Sequence, residues 1–375
     1  MAILPFLQAS CVVRKYFCNR FYFFHTGGYI YGVSLIRIWD LDNFCRSFYM
    51  ILNIALFASG FLLLYYGANW LVKGSSSLAR NLGLKPLVIG LTVVAFGTSA
   101  PELVVSVVSS IKDKSMIAVG NVVGSNICNI ALVLGLAALI HPIKSHRSVF
   151  HREIPIMLGV SLYLLLISFN SEISRLEGAS LFAGIVLYTC FNYFIAVKES
   201  KRTLNQESVA FAHAVDGIEY VPSKTRQMVW ISAGIFGVVV GAEIFIDAAV
   251  AIMKIFGVSE KFIGLTIVAL GTSLPELATS VVAAFRKEMD ISIGNLVGSN
   301  VFNILSVLGA AALVRPITIP GGFVESGLFF DYMAMIFVSI LPWLMMRKTS
   351  VVNRKNGVVL LACYVGYVAY LILKS

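Results

Sequence analysis

Six residues, Gly97-Thr98-Ser99-Ala100-Pro101-Glu102, recur 174 positions later as Gly271-Thr272-Ser273-Leu274-Pro275-Glu276, and both copies interrupt long apolar runs. A carboxylate and a helix-breaking proline inside a segment of membrane character are costly. Two copies in one register argue against chance, so any fold for this chain must bring a use to both. The duplication also extends well beyond the motif. Residues 90–143 align without a gap on 264–317, with about 31 of the 54 positions identical, and the register reaches back through Gly83/Gly257 to Gly67/Gly241. Self-similarity of this length fixes architecture before any local reading does.

The surrounding chain is 58% hydrophobic and only 13% charged, with a mean hydropathy of +0.86. A soluble domain carries about 25% charged residues, so the composition is that of an all-α polytopic membrane protein. From Met50 onward the apolar runs predict ten transmembrane helices, at about 51–72, 86–111, 116–139, 154–169, 178–197, 228–254, 261–285, 289–314, 328–346 and 356–373. The polar stretch 198–227 divides them into a first five-helix repeat over 50–197 and a second over 228–375. Because five is odd, the second copy enters the membrane from the opposite face, which makes the halves inverted-topology repeats. Residues 1–49 do not resemble the rest and read as an atypical N-terminal extension, as from a start placed too far upstream.

The net charge of +10 does not point to nucleic acid, because the basic residues sit in short loops between apolar runs. Placing both termini outside and the 198–227 loop in the cytoplasm puts 17 Lys and Arg residues inside against 7 outside, as the positive-inside rule requires. The setting is therefore a multi-pass protein of the cell inner membrane, with the lipid bilayer as its partner and no obligate protein partner implied. Six scattered cysteines, none in a Cys-x-x-Cys pair, suggest neither a disulfide framework nor a zinc site.

Pro101 has no N–H, so the carbonyl of Gly97 loses its helical donor, and a break or kink is expected there. Thr98 and Ser99 stand four and three residues before Glu102 and can share its face. Hydroxyls, freed carbonyls and a carboxylate are hard oxygen ligands, suited to sodium, calcium or magnesium. Gly271, Thr272, Ser273 and Glu276 repeat the set. One span later, Asn121, Ser125 and Asn129 form a polar stripe bordered by Gly120 and Gly124, copied as Asn295, Ser299 and Asn303 with Gly294 and Gly298. Packing alone accounts for the small residues and their close helix approach. It does not call for a duplicated amide stripe beside a duplicated glutamate. Glu243 and Asp247 have no such copy, their counterparts being Asn69 and Lys73, and an interfacial or gating role is the less favoured reading of them.

Gly-Thr-Ser-x-Pro-Glu paired with Gly-Asn-x-x-Gly-Ser-Asn-x-x-Asn resembles the cation/calcium antiporter superfamily, nearest to its bacterial sodium/calcium exchanger branch. The resemblance spans 50–375. It implies ten helices in two inverted five-helix repeats, ion sites at the midplane between helices two, three, seven and eight, and first and sixth helices that slide to alternate access. It further implies Glu102 and Glu276 as central calcium ligands. Ser99, Ser273 and the main chain at Thr98 and Thr272 would line the sites, Ala95 and Ala269 would offer carbonyls, and Ser125, Asn129, Ser299 and Asn303 would complete the cavity. Some members of the superfamily carry Asp at the position of Asn303 and depend on potassium, so Asn303 implies potassium independence. No cofactor is implied, and no Walker motif supplies ATP energy. The expected function is Na⁺/Ca²⁺ antiport. A proton-coupled divalent-cation antiporter is the alternative, a cation channel is less favoured, and no nucleophile–base pair supports an enzyme.

Overall fold

Pro86, opening a helix at its first position, starts the run that carries the first motif, and the loss of a donor at Pro101 ends it. A computed structural model describes residues 35–144, 148–204, 221–257 and 271–374. Its helices are α1 (Leu35–Asn81), α2 (Pro86–Thr98), α3 (Ala100–Ile111), α4 (Ser115–Ile140), α5 (Val149–Ser168) and α6 (Arg175–Leu204) in the first part of the chain. The second part contributes α7 (Lys224–Ile255), α8 (Leu274–Phe285), α9 (Met289–Val314), α10 (Leu328–Thr349) and α11 (Arg354–Lys374). Contacts divide the chain at Leu52/Asn53 into two compact units, and the packing below belongs to the unit from Asn53 onward.

Among the described residues, eight helices are long and apolar enough to cross a membrane, or nine if the bent pair α2–α3 counts as one span. The expected span 86–111 is thus present as two helices meeting at 45° across Ser99. The expected span 51–72 is longer than its apolar stretch. Helix α1 continues through Lys73, the serines 75–77 and Arg80, because hydropathy marks the lipid-contacting length and not where backbone hydrogen bonding stops. Helix α6 likewise shortens the connector between the halves, which now starts after Leu204. Of the expected span 261–285, residues 258–270 lie outside the described part.

Polarity is inside out, as lipid demands. Leu176, Leu187, Phe194 and Phe236 are 67–85% exposed, whereas Glu102, Asn129, Glu276, Asn295 and Asn303 are fully buried. Helices α4 and α9 form the centre: 72% and 83% of their apolar windows are buried, against 11% for α11. Two short antiparallel pairs tie the ends. Strand β1 (Ile143–Lys144), following α4, pairs with β4 (Val351–Val352) between α10 and α11. Strand β3 (Ile317–Thr318), following α9, pairs with β2 (Glu172–Ile173) between α5 and α6. Each half therefore gives the other the same kind of strand contact.

Two close approaches position the centre. Helices α1 and α7 touch backbone to backbone, where a Cβ on Gly67 would lie 2.7 Å from the Gly237 carbonyl carbon. Helix α9 lies equally close on α2: a Cβ on Gly294 would meet Leu87 O at 2.8 Å, and one on Gly298 would meet Leu91 O at 2.7 Å. Around Gly120 and Gly124 nothing among the described residues lies within 4 Å of an added Cβ. Their counterpart partners, residues 261–265, are outside the described residues. Gly298→Ala is expected to push α9 off α2 and cost about 1–3 kcal/mol, typical of overpacking. Gly159→Ala, with open space around its Cβ, should leave the detergent melting temperature at or above the parent value.

Candidate ion-binding site

Both motif glutamates sit in the first turn of a helix that starts one residue before a proline. Ser99 precedes α3 with φ −85° and ψ 6°, and Ser273 precedes α8 with φ −88° and ψ 5°, so the two breaks have one geometry. Glu102 and Glu276 face each other closely enough to interact as charges. Ser125 lies beside Glu102 and Ser299 beside Glu276.

Six polar contacts form three reciprocal pairs, each bond having a mate 174 positions away on both of its residues. Thr98 donates to Asn295 Oδ1 at 3.0 Å, and Thr272 donates to Asn121 Oδ1 at 3.2 Å. Asn121 Nδ2 donates to Ser106 Oγ, and Asn295 Nδ2 to Ser280 Oγ, both at 3.0 Å. The Ser125 and Thr272 hydroxyls are 3.3 Å apart, those of Ser299 and Thr98 3.5 Å apart. Both ends of Asn121 and Asn295 are thereby engaged, so these two members of the stripes hold the threonines in place and have no lone carbonyl to offer.

The carboxylates depart from this reciprocity. Ser99 donates to Glu276 Oε1 at 3.0 Å, whereas among the described residues the hydroxyl of Ser273 has no partner and neither oxygen of Glu102 completes a hydrogen bond. Ten buried side-chain polar atoms in the described residues lack a partner, and six of them are here: both oxygens of Glu102, Glu276 Oε2, Ser273 Oγ, Asn129 Oδ1 and Asn303 Oδ1. A buried oxygen left unpaired costs about 1–3 kcal/mol, more when charged, so their concentration in one place marks a ligand-facing surface. All six are hard oxygen donors, the set suited to Na⁺ or Ca²⁺.

Of the candidates named from the sequence, Thr98, Ser99, Glu102, Ser125, Thr272, Glu276 and Ser299 are linked by these contacts, Asn129, Ser273 and Asn303 are buried with an unpaired oxygen, and Ala269 lies outside the described residues. Ala95 is fully buried one turn before Thr98, and its carbonyl already accepts from Ser99 N at 3.0 Å. Glu243 and Asp247 are exposed on α7 and take no part. Helix α7 instead lays Ile235 over Gly97 and Ile246 over Gly271, touching both motifs. The sequence reading passed over Asn126 and Asn300, although both stood in the motif as quoted. It also gave no warning that α4 and α9 widen into π-helical turns at Cys128–Val133 and Asn303–Leu308, a distortion common at functional sites.

The family profile described as sodium/calcium exchanger protein matches residues 52–194 and 226–373. This chain belongs to the sodium/calcium exchanger family. It is 36% identical over 326 residues to the inner membrane protein YrbG of Escherichia coli, covering 86% of this chain and 97% of that one. With the sodium/calcium exchanger MaX1 of Methanosarcina acetivorans the identity is 32% over 349 residues, covering 85% and 98%. A solved structure of the sodium-calcium exchanger NCX_Mj soaked with Na⁺ and Sr²⁺ superposes with a TM-score of 0.72 at 32% identity, over 85% of this chain and 98% of that one.

Ser99 and Ser110, both buried in this family member, have different partners. Ser99→Ala removes the donor to Glu276 and should weaken cation binding several-fold. Ser110→Ala, whose hydroxyl donates to the carbonyls of Ala311 and Arg315, should lower stability by about 1 kcal/mol and leave cation affinity unchanged. Calcium titrations and thermal melts of the two purified variants separate the effects.

Proposed function

We propose that this exchanger moves Na⁺ and Ca²⁺ in opposite directions across the cell inner membrane, binding them in turn on one oxygen cage near the midplane. The protein is a transporter and not an enzyme. Glu102 and Glu276 supply the charge of the cage. Ser99, Ser273, Ser125, Ser299, Asn129 and Asn303 supply neutral oxygens, joined by main-chain carbonyls at Ala95, Thr98, Thr272 and Ala269. The observation that carries this reading is that six of the unpaired buried oxygens in the described residues belong to the two copies of the paired motifs.

Electrostatics explains why such a site exchanges ions. Two carboxylates balance one Ca²⁺, or much of the charge of several Na⁺ ions, so one kind of occupant excludes the other. An empty cage leaves two buried carboxylates uncompensated at a cost of several kcal/mol each. Movement of the unloaded site between membrane faces is therefore disfavoured, and the carrier crosses loaded in either direction. The neutral amide at Asn303 adds no third charge, in keeping with exchange that does not require K⁺.

The reciprocal hydrogen bonds and strand pairs are those of an isologous contact, in which each partner presents the same patch to the other. They support ten spans arranged as two inverted five-helix repeats, 50–197 and 228–375, with the pseudo-two-fold axis in the membrane plane. Residues 1–49 are given no part in transport. The tight α1–α7 pair, resting through Ile235 and Ile246 on both motifs, is suited to move as one body and uncover the cage to alternate faces. Its glycine contact favours motion of the pair together over separation of the two helices.

Glu102→Gln and Glu276→Gln should each abolish Ca²⁺ uptake by proteoliposomes loaded with Na⁺, because one buried ligand charge is lost. Uptake near the parent rate in either variant contradicts the assignment. Loading with K⁺, or imposing a proton gradient without Na⁺, should drive no uptake in the parent. The orientation is read separately: a cysteine introduced at Lys355 should react with an impermeant thiol reagent from the cytoplasmic side, and one at Lys112 from the outside.

A further inference from the structure

Asn126 and Asn300 sit at the centre of the molecule, 1% exposed, on the facing helices α4 and α9. Asn126 Nδ2 donates to the backbone carbonyl of Asn300, and Asn300 Nδ2 donates to the backbone carbonyl of Asn126, both at 3.2 Å. Carbonyl oxygens only accept, so each of these amides must turn its NH₂ group toward the other backbone. Its own Oδ1 then has a fixed direction. Asn126 Oδ1 accepts from Asn303 Nδ2 at 3.0 Å, and Asn300 Oδ1 accepts from Asn129 Nδ2 at 3.1 Å. With their NH₂ groups held this way, Asn129 and Asn303 can turn only their oxygens elsewhere, and those two oxygens are among the buried atoms without a partner.

We infer that Asn126 and Asn300 are positioning residues for the ion cage: a crossed amide pair that fixes which end of Asn129 and Asn303 faces the ions. An amide that rotated freely would present NH₂ hydrogens to a cation about as readily as its oxygen. The crossed pair removes that choice, and the two main-chain acceptors at its base cannot be reversed by any side-chain flip. The pair also selects the chemistry at position 303. An ionised aspartate there would set a carboxylate oxygen against Asn126 Oδ1, acceptor against acceptor. Asn126 could not turn to relieve it without abandoning the Asn300 carbonyl. The frame thus holds the cage to the two charges of Glu102 and Glu276, and by the same geometry makes Asn303 a neutral ligand. This inference rests on the cage reading above and deepens it, since it assigns the orientation of two of its ligands.

The test measures equilibrium binding of Ca²⁺ to the full-length protein in detergent, alongside the melting temperature of the unloaded protein. Asn126→Ala and Asn300→Ala should raise the Ca²⁺ concentration for half-maximal binding at least tenfold, while Ser110→Ala leaves it unchanged. Lower melting temperatures with midpoints within twofold of the parent would mean that the pair only holds the helices together, and would overturn the inference. If the alanine variants yield no folded protein, Asn126→Asp decides. It loses the donor to Asn300 but keeps an acceptor for Asn303 Nδ2, so its midpoint should stay within threefold of the parent or fall. A tenfold rise in that variant overturns the inference as well. The cage itself is judged independently by Glu102→Gln, whose unchanged midpoint would remove the cage and leave the amide contacts as packing alone.

Discussion

Everything in this fold answers to two carboxylates buried completely in a protein whose outer surface is hydrocarbon-facing. Glu102 and Glu276 are 0% exposed, and three of their four oxygens have no hydrogen-bond partner. Burial of such a pair is tolerated where opposite charge or a proton can meet it. The broken helices serve that end. The proline of each motif ends one helix and starts the next, so that each glutamate lies in a first turn, where the helix dipole favours negative charge. The close approach of α9 to α2, possible only because Gly294 and Gly298 lack side chains, brings threonine and asparagine of opposite copies within hydrogen-bond reach.

The two copies are alike in scaffold and unlike at the carboxylates. Asparagines 121 and 295 do identical work for Thr272 and Thr98, and the short strand pairs match end for end. At the glutamates the match fails, because Ser99 engages Glu276 while Ser273 and Glu102 remain unpaired. A scaffold with near-symmetric halves can present one surface to either side of the membrane, which is what an alternating carrier needs. Local asymmetry then decides which oxygens are free to bind in a given arrangement.

Much of this was legible in the sequence because duplication and hydropathy are strong, long-range signals. The Gly-Thr-Ser-x-Pro-Glu pair located the helix breaks, and the paired stripes located α4 and α9. What remained hidden depended on which atoms meet. Asn121 and Asn129 are equivalent members of one stripe by spacing, yet both ends of the first are committed to neighbours while the oxygen of the second is free. Asn126, standing off the stripe's spacing, holds the amide of Asn303 on the opposite helix. Helix lengths were misjudged where polar residues such as Ser76 and Arg80 extend a helix past its apolar stretch, binding Glu288 at 2.8 and 3.2 Å. The π-helical turns had no sequence signal, since they reflect how the facing helices pack.

The central claim is that Na⁺ and Ca²⁺ occupy the same oxygens and so exclude one another. Equilibrium binding of radioactive Ca²⁺ to the purified protein, measured over a range of Na⁺ concentrations at constant ionic strength, tests it most directly. The account predicts that Na⁺ displaces bound Ca²⁺ completely and with a Hill coefficient above one, since several monovalent ions replace one divalent ion, while choline does not. Bound Ca²⁺ that persists unchanged at saturating Na⁺ would place the two ions on separate sites and contradict it.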